Sequence, residues 1–193
     1  VKYGNKKILD KVNFEIETGQ RIGIVAPSGF GKTTFARIIA GYEKGYSGTV
    51  ETDAQKQEGY NPVQLMFQHP ERAVNPKWNM ERTVNESWQP PKELYDEMGI
   101  KDEWLKRYPN ELSGGEIQRF CVIRALNPKT KFLIADEMTT MLDAITTAQI
   151  WNVVIKRAER GDIGLLVISH EKSMLDYVCT KVVDLSVINK YSK

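Results

Sequence analysis

Three short segments carry residues whose types and spacing could do chemistry. The first is Ala26-Pro27-Ser28-Gly29-Phe30-Gly31-Lys32-Thr33-Thr34. Its glycines let backbone N–H groups curl around an anion, and a helix starting there adds its positive end. Lys32 is placed to neutralise β- and γ-phosphate oxygens, and Thr33 to give a hydroxyl oxygen to Mg²⁺; Ser28, Gly29, Gly31 and Thr34 complete the cradle. The segment approximates the phosphate-binding pattern G-x-x-x-x-G-K-[ST], with Ala26 standing where that pattern has glycine. A methyl is tolerated at Ala26 only if the backbone there keeps a negative φ.

The second segment, Phe132-Leu133-Ile134-Ala135-Asp136-Glu137, is an apolar run that ends in two carboxylates. Downstream of a phosphate loop this is a metal-and-base arrangement. Asp136 orders Mg²⁺ through its water shell, and Glu137 is the candidate general base for an attacking water. The third, Leu112-Ser113-Gly114-Gly115-Glu116-Ile117-Gln118-Arg119, is a glycine-flanked helix start in which Ser113 and Glu116 are spaced as a capping box. It presents a second set of unpaired N–H donors to an anion. One chain with one phosphate loop has no use for a second such helix end. Two copies facing each other do.

The elements that must position these residues alternate in type. Val12 to Glu17 alternates apolar and polar residues and predicts a strand closed by Thr18-Gly19. Arg21 to Ala26 predicts a strand, followed by a helix with Phe35, Ile38, Ile39 and Tyr42 on one face that Gly45 and Gly48 end. Val63 to Phe67 predicts another strand. From His69 to Pro109 the character turns to prolines, tryptophans and charges with short helical stretches, which predicts an inserted lobe; packing of that lobe is the default use of Trp78, Trp88 and Trp104. A helix follows Ser113, a buried strand covers Lys131 to Ala135, a long helix about Ala144 to Arg160, and a strand Gly164 to Ser169. Strands alternating with helices predict an α/β core with a mostly parallel sheet, whose ligands bind at the carboxyl ends of the strands.

Composition narrows the class. With 193 residues, 27 basic and 25 acidic, the net charge is +2, too balanced for a nucleic-acid binder. No apolar run approaches the roughly 18 residues of a membrane span, and no signal-peptide pattern is present. Cys121 and Cys179 fall in apolar periodic segments and read as reduced, buried residues. Because the chain begins Val-Lys-Tyr, a first strand is expected to precede it.

Leu-Ser-Gly-Gly-Glu-x-Gln-Arg at 112–119 resembles the signature of the ABC ATPase family, and further motifs match that family in order over nearly the whole chain. The resemblance implies two cassettes sandwiching two ATP molecules, each held by the phosphate loop of one and by Ser113, Gly114 and Gly115 of the other. Tyr3 resembles the aromatic residue that stacks on adenine. Gln68, after Leu65-Met66-Phe67, resembles the residue that senses Mg²⁺ and the membrane partner. Asp143 resembles the interface-loop aspartate, and His170 the switch residue at the γ-phosphate. Met138 and Met141 depart from the proline and alanine common around that interface loop. The implied fold is a P-loop NTPase core with a mostly parallel sheet, an N-terminal antiparallel β portion and an inserted α-helical subdomain. Residues 1–68 and 126–193 form that core, and about 69–125 the lobe.

The implied activity is Mg²⁺-dependent ATP hydrolysis that powers a transporter. Repair and chromosome cassettes carry coiled-coil or zinc-bearing insertions, translation cassettes are fused in pairs, and exporter cassettes are usually fused to membrane helices. None of those features is in this sequence. A catalytically silent scaffold is disfavoured by the intact set Lys32, Asp136, Glu137 and His170. Phe67-Gln68-His69-Pro70-Glu71-Arg72-Ala73-Val74-Asn75-Pro76 and Arg107-Tyr108-Pro109-Asn110-Glu111 resemble the peptide and nickel importer subfamily. That resemblance implies a second cassette, identical or different, transmembrane permease subunits, an extracytoplasmic binding protein for the cargo, and a peripheral place on the cytoplasmic face of the membrane.

Overall fold

A computed structural model describes residues 2–3, 6–52 and 59–190. Two short strands, β1 (Lys2–Tyr3) and β2 (Lys6–Lys7), pair antiparallel at the N-terminus. The main sheet holds β3 (Arg21–Val25), β4 (Val63–Met66), β5 (Phe132–Asp136), β6 (Gly164–Ile168) and β7 (Lys181–Asp184). Its order is β4-β5-β6-β3-β7 and every adjacent pair is parallel. The helices are α1 (Lys32–Ile39), α2 (Met80–Asn85), α3 (Lys92–Glu97), α4 (Gly114–Ala125), α5 (Ala144–Glu159), α6 (Lys172–Val178) and α7 (Leu185–Ile188).

The strands read as near-continuous apolar runs because both faces of the sheet are covered. Leu133 and Ala135 of β5, with Leu165 and Val167 of β6, join one apolar cluster with α4, α5 and the lobe. Their alternates Ile134, Leu166 and Ile168 join the other with α1, including Phe35 and Ala36. The segment 70–125 docks through α4. Met80, Val84, Leu94, Met98 and Trp104 pack in the same cluster as Phe120 and Ile123, so the lobe shares a core with one face of the sheet. Trp88 reaches this cluster and donates from Nε1 to the Ile123 carbonyl at 3.0 Å.

Several elements differ from the sequence expectation. Val12 to Glu17 forms no strand, although its alternation is kept: Val12, Phe14 and Ile16 pack on the core and the ring of Phe14 meets Phe35 edge-on at 5.5 Å. Period-2 burial specifies faces, but a strand also needs a pairing neighbour, and the described residues give this segment none. Helix α1 stops at Ile39, with Gly41 at φ 78°, so Tyr42 lies beyond it, 63% exposed, and Gly45 and Gly48 fall in the following loop. The edge strand β7 and helices α6 and α7 have no counterpart in the expected elements. Cys121 and Cys179 are both free thiols, Cys121 buried and Cys179 half-buried.

Candidate functional site

The carboxyl ends of β3, β4 and β5 open into one cavity of ≈ 730 Å³, and His170 after β6 does not line it. Its walls include Ser28, Gly29, Gly31, Lys32, Thr33 and Thr34 from the β3–α1 loop, Gln68 after β4, and Asp136 and Glu137 at the end of β5. Gly31 is the N-cap of α1 with φ 88°, and no side chain caps the helix. A Cβ there would also fall 2.7 Å from Ile8 Cγ2, so both conformation and space demand glycine. The first-turn N–H groups of α1 therefore have no side-chain cap competing with an anion. Lys32 Nζ donates to the carbonyls of Ala26 at 2.7 Å and Pro27 at 3.3 Å, which ties the ammonium to the loop. Ala26 is absent from the non-glycine residues with positive φ, so its methyl sits without backbone strain.

The acidic side is held under tension. Asp136 is buried, and desolvation raises its carboxyl above the ordinary value, opposed first by the hydrogen bond from the Thr33 hydroxyl and at longer range by Arg37 and Lys32. Glu137 takes a left-handed backbone, φ 52°, which costs a non-glycine residue roughly 1 kcal/mol or more. Its amide donates to the Ile168 carbonyl at 3.0 Å, fixing the turn that aims the carboxylate into the cavity. His170 follows β6, and its Nδ1 lies 3.2 Å from Glu137 Oε1. Parallel pairing of β5 with β6, with Asp136 opposite Ile168, brings these distant residues together.

The donor set fits Mg²⁺. A hydroxyl (Thr33) and a carboxylate (Asp136) in direct contact, with the Gln68 amide oxygen across the cavity, are hard oxygen ligands; Mg²⁺ takes few of these from protein and keeps several waters.

Ser113, Gly114, Gly115 and Asp143 do not line this cavity. They gather in a second group, where the start of α4 meets the start of α5. Ser113 Oγ accepts from the Glu116 amide at 3.3 Å and the Ser113 amide donates to Glu116 Oε2 at 2.7 Å. Asp143 caps α5 by accepting from the Thr146 amide at 2.9 Å, and those bonds hold its carboxyl below the ordinary value. A Cβ on Gly115 would meet Thr146 Cγ2 at 3.4 Å and Leu142 Cδ2 at 3.5 Å, which measures how closely the helix starts pack. In the loop between β5 and α5, Met138 is buried and Met141 is 63% exposed. Trp151 Nε1 anchors that loop by donating to Thr139 Oγ1 at 3.1 Å. Tyr3 lies on β1, and its side chain, with the expected adenine contact, falls outside what is described.

The cavity also takes in Ile8, Arg37, Phe67, His69 and Arg72, none of which sequence reasoning assigned to it. Arg37 is the basic residue in the last turn of α1, four residues after Thr33, so a count of cations one helical turn past the loop could have found it. No local signal marks Ile8, which is brought to Gly31 by tertiary packing alone.

A doubly covered parallel sheet with an uncapped phosphate-type helix start, a buried acid and a carboxylate–histidine pair defines a nucleoside-triphosphate hydrolase. Residues 9–140 match the ABC transporter family. The nickel import system ATP-binding protein NikE of Staphylococcus aureus is 31% identical over 202 residues, covering 94% of this chain and 82% of that protein. The nickel import ATP-binding protein NikE of Pseudomonas putida is 30% identical over 203 residues, covering 94% and 74%. The oligopeptide transport ATP-binding protein OppF of Bacillus subtilis is 29% identical over 202 residues, covering 93% and 66%. Among solved structures, a dimeric ATP-binding cassette in a post-hydrolysis state with ADP and Pi superposes with a TM-score of 0.78 at 23% identity, covering 95% of this chain and 89% of that one. The chain belongs to the ABC transporter family, as its ATP-binding and ATP-hydrolysing cassette working on ATP with Mg²⁺. Importer cassettes of this family work as dimers with transmembrane permease subunits and are membrane-associated. Among the described residues, no helix is long and apolar enough to cross a membrane.

Proposed function

We propose that this chain powers an ABC importer for nickel, a metal chelate or short peptides, from the cytoplasmic face of the membrane. The names of its relatives, nickel import and oligopeptide transport ATP-binding proteins, support that cargo range. Its partners are a second cassette, identical or different, the permease subunits and, through them, an extracytoplasmic binding protein. The cassette acts as one unit, with a core from 1–68 and 126–193 and a helical lobe from about 69–125.

In this reading Ser28, Gly29, Gly31 and Thr34 wrap the phosphates and Lys32 neutralises the β- and γ-oxygens. Thr33, Gln68 and Asp136 would hold Mg²⁺, which would supply positive charge against the transferring phosphoryl group. Glu137 takes the proton of the attacking water, and His170 holds the γ-phosphate side of the same pair. Tyr3 stacks on adenine. Ser113, Gly114, Gly115 and Asp143 serve the ATP bound by the second cassette.

The observation that carries the hydrolytic assignment is the 3.2 Å contact between His170 and Glu137, a carboxylate that lines the same cavity as Lys32 and Thr33. Glu137→Gln should keep Mg-ATP binding and slow hydrolysis about 10²–10⁴-fold, the usual worth of a positioned base. Single-turnover measurement of bound ATP checks it, and parent-like turnover removes Glu137 from that role. For the cargo, co-purification of the membrane subunits followed by uptake assays with nickel and with short peptides decides.

A further inference from the structure

Arg119 closes the Leu112–Arg119 motif, and the function above gives it no task. It lies on α4, 8% exposed, and among the described residues it makes no direct ion pair, the charges of Asp143 and Glu116 reaching it only at longer range. A buried guanidinium without a direct counter-charge is costly, so its neutral partners must be well placed. Nη1 donates to the Met98 carbonyl and to Gln149 Oε1 at 2.7 Å, and Nη2 donates to Thr146 Oγ1 at 3.1 Å.

Those bonds reach two further elements. Met98 is the C-cap of α3 in the lobe, while Thr146 and Gln149 lie in the first turns of α5. Gln149 adds a bond of its own to the lobe, from Nε2 to the Glu97 carbonyl at 3.3 Å. The Thr146 amide is the one that Asp143 caps. Lobe backbone is pressed against this network: Gly99 sits at φ +64°, and a Cβ there would fall 2.5 Å from Gln149 Nε2 and 3.1 Å from Arg119 Nη1. Apolar contacts could close the same space at lower electrostatic cost. A rigid planar fork does what they cannot, which is to fix the relative angle of three elements.

The geometry points to Arg119 as a positioning residue that locks the first turn of α5, with Asp143, to α4, whose start carries Ser113 to Gly115, and locks both to the end of α3. In catalysis this rests on the reading that these two helix starts meet the nucleotide of a second cassette. Arg119 itself touches no nucleotide. Movement of the lobe, α4 included, is then passed through Arg119 to the start of α5.

Two mild variants of the full chain test this. Arg119→Lys keeps the charge and loses the fork, and Thr146→Val keeps the shape while removing the hydroxyl that accepts from Arg119 and also bonds the Asp143 carboxylate. Amide hydrogen exchange over residues 143–149 should quicken about tenfold in Arg119→Lys without nucleotide, the effect of losing a net hydrogen bond or two. Unchanged exchange overturns the proposal, whatever the oligomeric state. In steady-state assays kcat should fall about tenfold in both variants with Mg-ATP affinity unchanged. Parent-like kcat, or a parallel loss of kcat and affinity that tracks a lower melting temperature, also overturns it. Failure of the two-cassette reading shows separately, as parent ATPase activity per molecule that does not depend on concentration.

Discussion

The starts of α1 and α4 are both glycine-rich helix N-termini, yet they are built on opposite terms. At α1 nothing caps the helix, Gly31 holds a left-handed turn, and the acids facing it are strained: Asp136 is desolvated and Glu137 sits at φ 52°. At α4 the Ser113–Glu116 box satisfies the helix end reciprocally, and the neighbouring Asp143 is stabilised by the amide it caps. The first region leaves its helix start uncapped, its buried acid desolvated and its second acid strained, as a site that must bind and turn over a ligand does. The second is locally content, with the Gly114 and Gly115 amides, which no helix bond can use, left at an exposed end. A site that completes another needs to be rigid rather than poised.

The largest effect expected from this contrast is at Lys32. Lys32→Ala should weaken Mg-ATP binding on the order of a thousandfold, since a charge-assisted contact to phosphate is lost. Calorimetric titration reads it directly, and near-native affinity in the variant would erase the difference between the two helix starts.

Next comes a mixing experiment. A Lys32→Ala chain and a Ser113→Arg chain are each expected to be inactive as homodimers. Their mixture should recover part of the ATPase activity, because one arrangement brings an intact Lys32 opposite an intact Ser113. If the natural partner is a different cassette, the variants are divided between the two chains. No recovery from dimers shown to form would mean that α4 does not complete a site on a second cassette.

The smallest effect concerns stability. Asp136 has a folded-state value raised above the ordinary 3.8, so its ionised form destabilises the fold at neutral pH and the penalty is relieved as pH falls through the raised value. Asp143 has a lowered value, so its contribution is present above the ordinary 3.8 and is lost as pH falls through the lowered one. Asp136→Asn should therefore melt higher than the parent at about pH 7 and Asp143→Asn lower, with both differences closing in acid below all these values. An Asp136→Asn chain less stable than the parent at neutral pH would contradict the account of a desolvated acid.

Much of this protein was legible in its residues because local rules govern those parts. Ser113 and Glu116 fixed the start of α4 through i, i+3 capping. Gly31-Lys32-Thr33 after an apolar run fixed a phosphate-type helix start, and the composition of Lys131 to Ala135 announced a buried strand, found one residue later at Phe132–Asp136. The alternation of Val12, Phe14 and Ile16 gave the correct buried face but not the strand, since pairing depends on a neighbour that no local pattern reveals. Tertiary structure alone decided what depends on distant chain crossing at short range. Parallel pairing of β5 with β6 sets His170 against Glu137, 33 residues away. Packing lays Ile8 against Gly31 and draws Arg37 toward the charge of Asp136. It also closes the fork of Arg119 on Met98, Thr146 and Gln149, because a guanidinium finds its partners by the angle at which three elements meet, and one-dimensional spacing carries no record of that angle.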